Sequence, residues 1–288
     1  MAIDTGTLTT RITGSPERGV KAEMNRTAIA LEAHGIQAVY LDSTKKSLSS
    51  VLAIENIDMV VRKGEFVTVV GPSGCGKSTL LKIAGGLMAA TAGTMFVPSS
   101  GHGRTHATVF QDSALFPWYS VLRNVAFGLV CQGISTKKAE AMAMPYIELV
   151  GLEGFENKYP HQLSGGMQQR ANLARALAVD PDLLLMDEPF AALDAQTREV
   201  MQAELLRIVS ETNKTVLFIT HQIDEAVYLS DRVEVMSARP GRILEEVTID
   251  LPRPRSLEIK LTSEFTAYNE RIWRLIFHQL PDKTGSEQ

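Results

Sequence analysis

The sequence predicts an α/β fold built on a largely parallel sheet. Two observations point there, and a third says where the sheet does its work. Short runs suited to buried strands, rich in β-branched and other apolar residues, lie at residues 66–70, 183–186 and 216–220. Helical stretches at 77–87, 136–150, 165–178 and 195–212 alternate with them. A glycine-rich loop joins the first of these strands to the first helix.

Taken in order, residues 1–34 are Thr- and Ser-rich, then carry a patch from Lys21 to His34 with weak helical spacing; they read as a flexible extension. Periodic structure is expected to begin near Ile36. Residues 51–61 alternate apolar and polar, with Leu52, Ile54, Ile57 and Met59 on the apolar side, as a strand with one wet face would. Lys63-Gly64-Glu65 is a turn before the β-branched run at 66–70. Residues 116–159 show no buried strand and read as a helical insertion. Prolines break the chain in Leu251-Pro-Arg-Pro-Arg255, and an amphipathic helix follows over 265–280, with Phe265, Tyr268, Ile272, Leu275, Ile276 and Leu280 on one side. That helix is expected to pack on its own domain.

Composition narrows the class. With 44% hydrophobic and 22% charged residues, the 288-residue chain can bury a sizeable core. Its net charge of −4 sets up no strong field toward nucleic acid or anionic lipid. No apolar window is long enough for a membrane helix, and the polar N-terminus lacks the apolar core of a secretory signal. Cys75 and Cys131 cannot make a disulfide framework and suit a reducing cytoplasm.

The chemistry concentrates in four places. Gly71, Pro72, Ser73, Gly74, Cys75, Gly76, Lys77, Ser78 and Thr79 complete a phosphate-loop pattern in its strand–loop–helix setting. Glycines let backbone N–H groups turn toward phosphate oxygens, Lys77 adds a point charge, and the Ser78 hydroxyl can reach Mg²⁺. Cys75 reads as a small side chain packed beneath this loop rather than a redox switch. Second, the strand at 183–186 ends in Asp187 and Glu188, at the sheet edge where α/β proteins bind ligands. Asp187 suits the magnesium shell, and Glu188 suits a general base that polarises water. Third, His221 closes the strand at 216–220 at the same edge and can bond the γ-phosphate or the water, while the neutral amide of Gln111 can meet the metal. Fourth, Ser164, Gly165 and Gly166 open a helix with a hydroxyl and bare N–H groups. A second anion site in a chain that already holds a full cradle makes sense if two copies pair head to tail.

The ordered set of GPSGCGKST, Gln111, LSGGMQQR, LLLMDEP, Ala191-Ala-Leu-Asp194 and His221 resembles the ATP-binding subunit of an ABC transporter over about residues 36–250. The stretches Gln111-Asp-Ser-Ala-Leu-Phe-Pro-Trp118, Asn124-Val-Ala-Phe-Gly128, Asp224-Glu-Ala-Val-Tyr-Leu-Ser-Asp231 and Ser237-Ala-Arg-Pro-Gly-Arg242 resemble the importer branch for nitrate, sulfonates and taurine. The resemblance implies a P-loop NTPase with a RecA-like core, an antiparallel β subdomain and a helical subdomain at about 112–165. The expected division is an extension at 1–35, the ATPase domain at 36–250 and a tail at 251–288. Two copies would sandwich two ATP and two Mg²⁺, with Asp194 linking the sites and Tyr40 stacking on adenine. A permease helix would dock at 116–127 on the cytoplasmic face of the membrane, and a periplasmic or extracellular solute-binding protein would act through that permease. The chain departs from the family at Gln222, where Asp is usual, and at Met167 in the signature; the loop at 42–50 is somewhat long.

Two other classes fit less well. A chromosome or repair ATPase acting on nucleic acid would place a long coiled coil between Thr79 and Leu163, where no heptads run. The Asp that a GTPase needs for reading guanine is missing after Asn213-Lys214, and a small-molecule kinase has no use for Leu163-Ser-Gly-Gly166.

Overall fold

Strands β1 (Ile29–Asp42) and β2 (Ser49–Arg62) pair antiparallel, with Tyr40 opposite Val51, and β4 (Ala92–Phe96) adds to the other edge of β1. The computed structural model describes residues 29–42, 49–98, 106–111 and 114–277. β1 corrects the expected N-terminal boundary. Residues 29–35, assigned to the extension, belong to a strand whose Leu31 and Ala33 are buried. Register shifts along β1 disturb a strict alternation, which is why the sequence there mimics weak helical spacing. Residues 1–28, the loop at 43–48, Asp112, Ser113 and the end of the C-terminal helix pattern, including Leu280, lie outside the described residues.

The main sheet contains β3 (Phe66–Val70), β5 (His106–Val109), β6 (Leu183–Asp187), β7 (Thr215–Thr220), β8 (Arg232–Met236) and β9 (Ile243–Thr248). Its order is β5-β6-β7-β3-β8-β9, parallel throughout except for β9. Period-two alternation feeds both faces. Phe66, Val70, Leu184, Met186, Val216 and Phe218 join one apolar cluster; Val67, Val69, Leu183, Leu185, Leu217 and Ile219 join the other. The second cluster also takes Leu80 and Leu81 of α1 (Lys77–Ala84) and Ile36 and Ile54 of the antiparallel sheet. α1 stops at Ala84 rather than near Leu87 because Gly85 and Gly86 follow.

Helices α2 (Val121–Cys131) and α3 (Thr136–Leu149) fill the expected helical insertion. Val125, Leu129, Ala143 and Ile147 pack them with Leu173 and Leu177 of α4 (Gly165–Ala178). α5 (Ala195–Thr212) and α6 (Ile223–Leu229) follow β6 and β7. The tail is integral to the core: α7 (Ser263–Phe277) buries Phe265 and Ile272 in the cluster on its side of the sheet. Ahead of it, buried Arg255 donates to the carbonyls of Val227, Tyr228 and Ser230 at the end of α6, and to those of Ile249 and Leu251. The first three are acceptors at a helix terminus, satisfied by one side chain. Burial pulls the Arg255 pKa down to about 10.

β8 escaped the sequence reading because Arg232 and Glu234 interrupt its apolar run. Both are buried, and Arg232 pairs with Glu234 at 2.5 Å, Glu65 at 2.7 Å and Glu246 at 2.6 Å. One cation shared among three carboxylates leaves burial dominant at Glu234, whose pKa is pushed up to about 7.

Candidate nucleotide site

Because β3, β6 and β7 are parallel neighbours, their carboxyl ends deliver Lys77 with Ser78, Asp187 with Glu188, and His221 to one sheet edge. The loop from Gly71 to Gly76 bends between β3 and α1. A Cβ on Gly76 would come within 3.0 Å of the Ala53 carbonyl oxygen and 2.9 Å of Ile54, so only glycine lets the loop lie this close to β2. Lys77 Nζ donates to the carbonyls of Gly71 at 2.8 Å and Pro72 at 3.0 Å, curling the loop around its own ammonium. Cys75 is buried, its Sγ 3.9 Å from Lys77 Nζ, and burial pushes its thiol above the usual range. That is the packed, unreactive setting expected for it.

Ser78 Oγ donates to Asp187 Oδ1 at 2.8 Å. Burial raises the Asp187 carboxyl pKa and the Ser78 hydrogen bond opposes the rise. One residue on, Glu188 Oε2 lies 2.8 Å from His221 Nδ1. The backbone N–H of Glu188 donates to the Ile219 carbonyl at 2.9 Å, and Glu188 adopts φ +43°, the left-handed region. The Tyr40 hydroxyl meets Thr79 Oγ1 at 3.0 Å and Met88 Sδ at 3.5 Å, so its ring borders the same cleft. The cleft holds about 210 Å³ and is lined by Tyr40, Ser73, Gly74, Gly76, Lys77, Ser78, Thr79 and Glu188, together with Ala53 and Arg239. Gln111 stands exposed just past β5, one strand beyond Asp187. Arg239 reaches the cleft from Ser237-Ala-Arg-Pro-Gly-Arg242, and the Arg-Pro-Gly turn after an apolar run is its one mark in the sequence.

The remaining expected residues stand apart from this cleft. Ser164 caps α4 by accepting from the Met167 N–H at 3.3 Å, and a Cβ on Gly166 would lie 3.0 Å from Thr197. Asp194 caps α5 by accepting from the Thr197 N–H at 3.0 Å, which holds its carboxyl below the usual range. Ser164, Gly165, Gly166 and Asp194 therefore gather as a second cluster, none of them lining the Lys77 cleft. Between the clusters sits Arg198 of α5, which donates to the carbonyls of Leu193 at 2.7 Å and Phe190 at 3.3 Å and to Gln222 Oε1 at 3.2 Å. The residue that departs from the family pattern thus faces a cation through a neutral amide.

Fold and cleft define an ATP-hydrolysing P-loop protein of the cassette type, and comparison with known proteins agrees. The ABC transporter family model matches residues 54–191. An uncharacterised ABC transporter ATP-binding protein of Methanocaldococcus jannaschii is 53% identical over 78% of this chain and 85% of its own. The nitrate import ATP-binding protein of a Synechocystis strain is 47% identical over 79% of this chain and 89% of its own. A solved dimeric ATP-binding cassette in a post-hydrolysis state with ADP and phosphate is 30% identical, with a TM-score of 0.66, covering 77% of this chain and all of that one. The chain belongs to the ABC transporter family, as an ATP-binding subunit that hydrolyses ATP. Its branch is that of the nitrate, sulfonate and taurine import ATP-binding proteins.

Proposed function

We propose that two copies of this chain pair head to tail around two ATP molecules and drive uptake of a small anionic solute through a separate membrane permease. The observation that carries this reading is the separation of the two clusters. The phosphate cradle around Lys77 and the anion-ready turn at Ser164, Gly165 and Gly166 belong to different surfaces of one chain. Pairing brings each cradle against the other copy's turn, with Asp194 of each at the junction.

Within each paired site, the loop N–H groups and Lys77 hold the β- and γ-phosphates. Ser78 and Asp187, hard oxygen donors already 2.8 Å apart, suit Mg²⁺, with Gln111, just past the end of the neighbouring strand, as the further ligand. When bound, the ion offsets charge on the phosphate oxygens. Glu188 orients a water and takes its proton as the water oxygen bonds to the γ-phosphorus; the bond to the bridging oxygen breaks and its electron pair leaves with ADP. His221, bonded to Glu188, fixes that carboxylate and reaches toward the γ-phosphate. Tyr40 offers its ring to adenine.

The helical unit suits the permease. Phe116 packs against Phe127 at 4.5 Å and Trp118 at 5.7 Å between ring centroids, and Trp118 is 66% exposed. Asn124 pins this aromatic loop by bonding Phe116 N–H and the carbonyls of Phe116, Tyr119 and Ser120. Beside it, a hollow of about 240 Å³ runs between Tyr119, Phe127 and Glu140. No described helix is long and apolar enough to cross a membrane, so anchorage at the cytoplasmic face falls to that permease, which a solute-binding protein loads from outside. Nitrate, sulfonates and taurine fit the branch as cargo.

Mixed dimers test the pairing. Lys77→Ala and Ser164→Arg on opposite chains leave one composite site whole; on the same chain they damage both. ATP turnover should survive only in the first arrangement. Equal rates in both would defeat the composite-site reading.

A further inference from the structure

The turn between β8 and β9, residues 237–242, is locked against the phosphate loop. The Ser237 N–H donates to the Arg242 carbonyl, and Ser237 Oγ accepts from the Arg242 N–H, each at 2.9 Å. The Gly241 N–H donates to the Ala53 carbonyl and the Gly241 carbonyl accepts from the Glu55 N–H, both at 2.9 Å, tying the turn to β2. A Cβ on Gly241 would fall 2.2 Å from the Cys75 carbonyl oxygen, so the turn's backbone touches the loop directly. Arg242 pairs with Glu55 at 2.5 Å.

This anchored turn carries Arg239 into the nucleotide cleft. Its Nε and Nη2 donate to the Gly74 carbonyl at 3.2 and 3.0 Å. That engages one edge of the guanidinium fork and leaves donors on the other. Among the described residues no carboxylate pairs with Arg239, whereas Glu188 adds negative charge to the same cleft. Lys77 spends donors on two loop carbonyls, and a polyphosphate carries more charge than one ammonium offsets.

We propose that Arg239 is a nucleotide-binding residue of this cleft: a second cation that holds the Gly74 carbonyl with one edge and takes a phosphate oxygen of the polyphosphate with the other. This rests on the ATP reading of the site, and it adds a contact that the phosphate-loop motif does not contain.

Calorimetric titration of the full chain with ATP and with ADP, without Mg²⁺ so that hydrolysis is silent, tests it. Arg239→Gln should weaken ATP binding by about tenfold, the worth of a charge-assisted hydrogen bond, and ADP binding by less. Arg239→Lys should recover most of the ATP loss at low salt and forfeit that recovery at high salt. A turn that merely braced the loop would cost ATP and ADP the same factor, with no recovery in Arg239→Lys; that result, or unchanged ATP affinity in Arg239→Gln, overturns the proposal. A wild-type chain that binds neither nucleotide overturns the site as a whole, and this contact with it.

Discussion

Glu188 is asked to do two incompatible things, and substitutions can separate them. Its backbone sits at φ +43°, where a side chain costs about 1–2 kcal/mol. Replacing it with glycine removes that cost but adds about 0.5–1 kcal/mol of chain entropy. Alanine makes the fair comparison, since both variants lose the 2.8 Å contact with His221 and only alanine keeps the strain. Glu188→Gly should therefore be more stable than Glu188→Ala by about 0.5–1 kcal/mol, a rise in Tm of about 1–4 °C. Glu188→Gln retains length and a partner for His221 but cannot take the proton, so its turnover should fall by about 10²–10⁴ with ATP still bound. Urea titrations and phosphate release measure the two effects. A glycine variant no more stable than alanine would refute the strain argument, and wild-type turnover in Glu188→Gln would refute the base.

Three further outcomes are expected. Lys77→Ala should weaken ATP binding by about 10² in a nucleotide titration, since it removes the central cation and frees the Gly71 and Pro72 carbonyls; unchanged affinity would contradict the cradle. Glu234, with its pKa pushed up to about 7, holds its proton more tightly folded than unfolded, so its contribution is full below about pH 4.5 and declines as pH rises through 7. In urea melts at pH 5 and 8, Glu234→Gln should abolish that decline, a difference of up to about 3 kcal/mol, and a variant with the wild-type slope would sink the assignment. Arg255→Met strips five carbonyl acceptors of their donor and should destabilise the fold by about 3 kcal/mol, read as a lower urea midpoint; a loss below about 1 kcal/mol would show the tail to be dispensable.

What could be read from the sequence was set by local chemistry. β3, α4 and α5 fall on their expected residues because strong local signals bound them: a run of bulky, mostly β-branched residues in one case, the side-chain caps Ser164 and Asp194 in the others. The residues at the sheet edge were found because loop and strand-end motifs are contiguous in the chain. Elements stabilised by distant partners were missed. β8 is polar in sequence because buried Arg232 is offset by Glu65 from the turn before β3 and Glu246 from β9 as well as by its own neighbour Glu234, and β1 is irregular because its register shifts against β2. Arg239 joins the cleft across 165 positions, a distance no local pattern encodes.

The grip of Arg198 on two loops has a consequence for how neighbouring engines keep time. The loop ending at Asp194 would face the companion copy, and the segment at Gln222 directly follows the histidine that touches Glu188. One rigid planar group rivets both, so displacing either drags the other without bending the sheet between them. In a pair of copies, a shift of the Asp194 loop would then reach both members of the hydrolytic pair: Glu188 along its own backbone turn, and the segment after His221 through this one side chain.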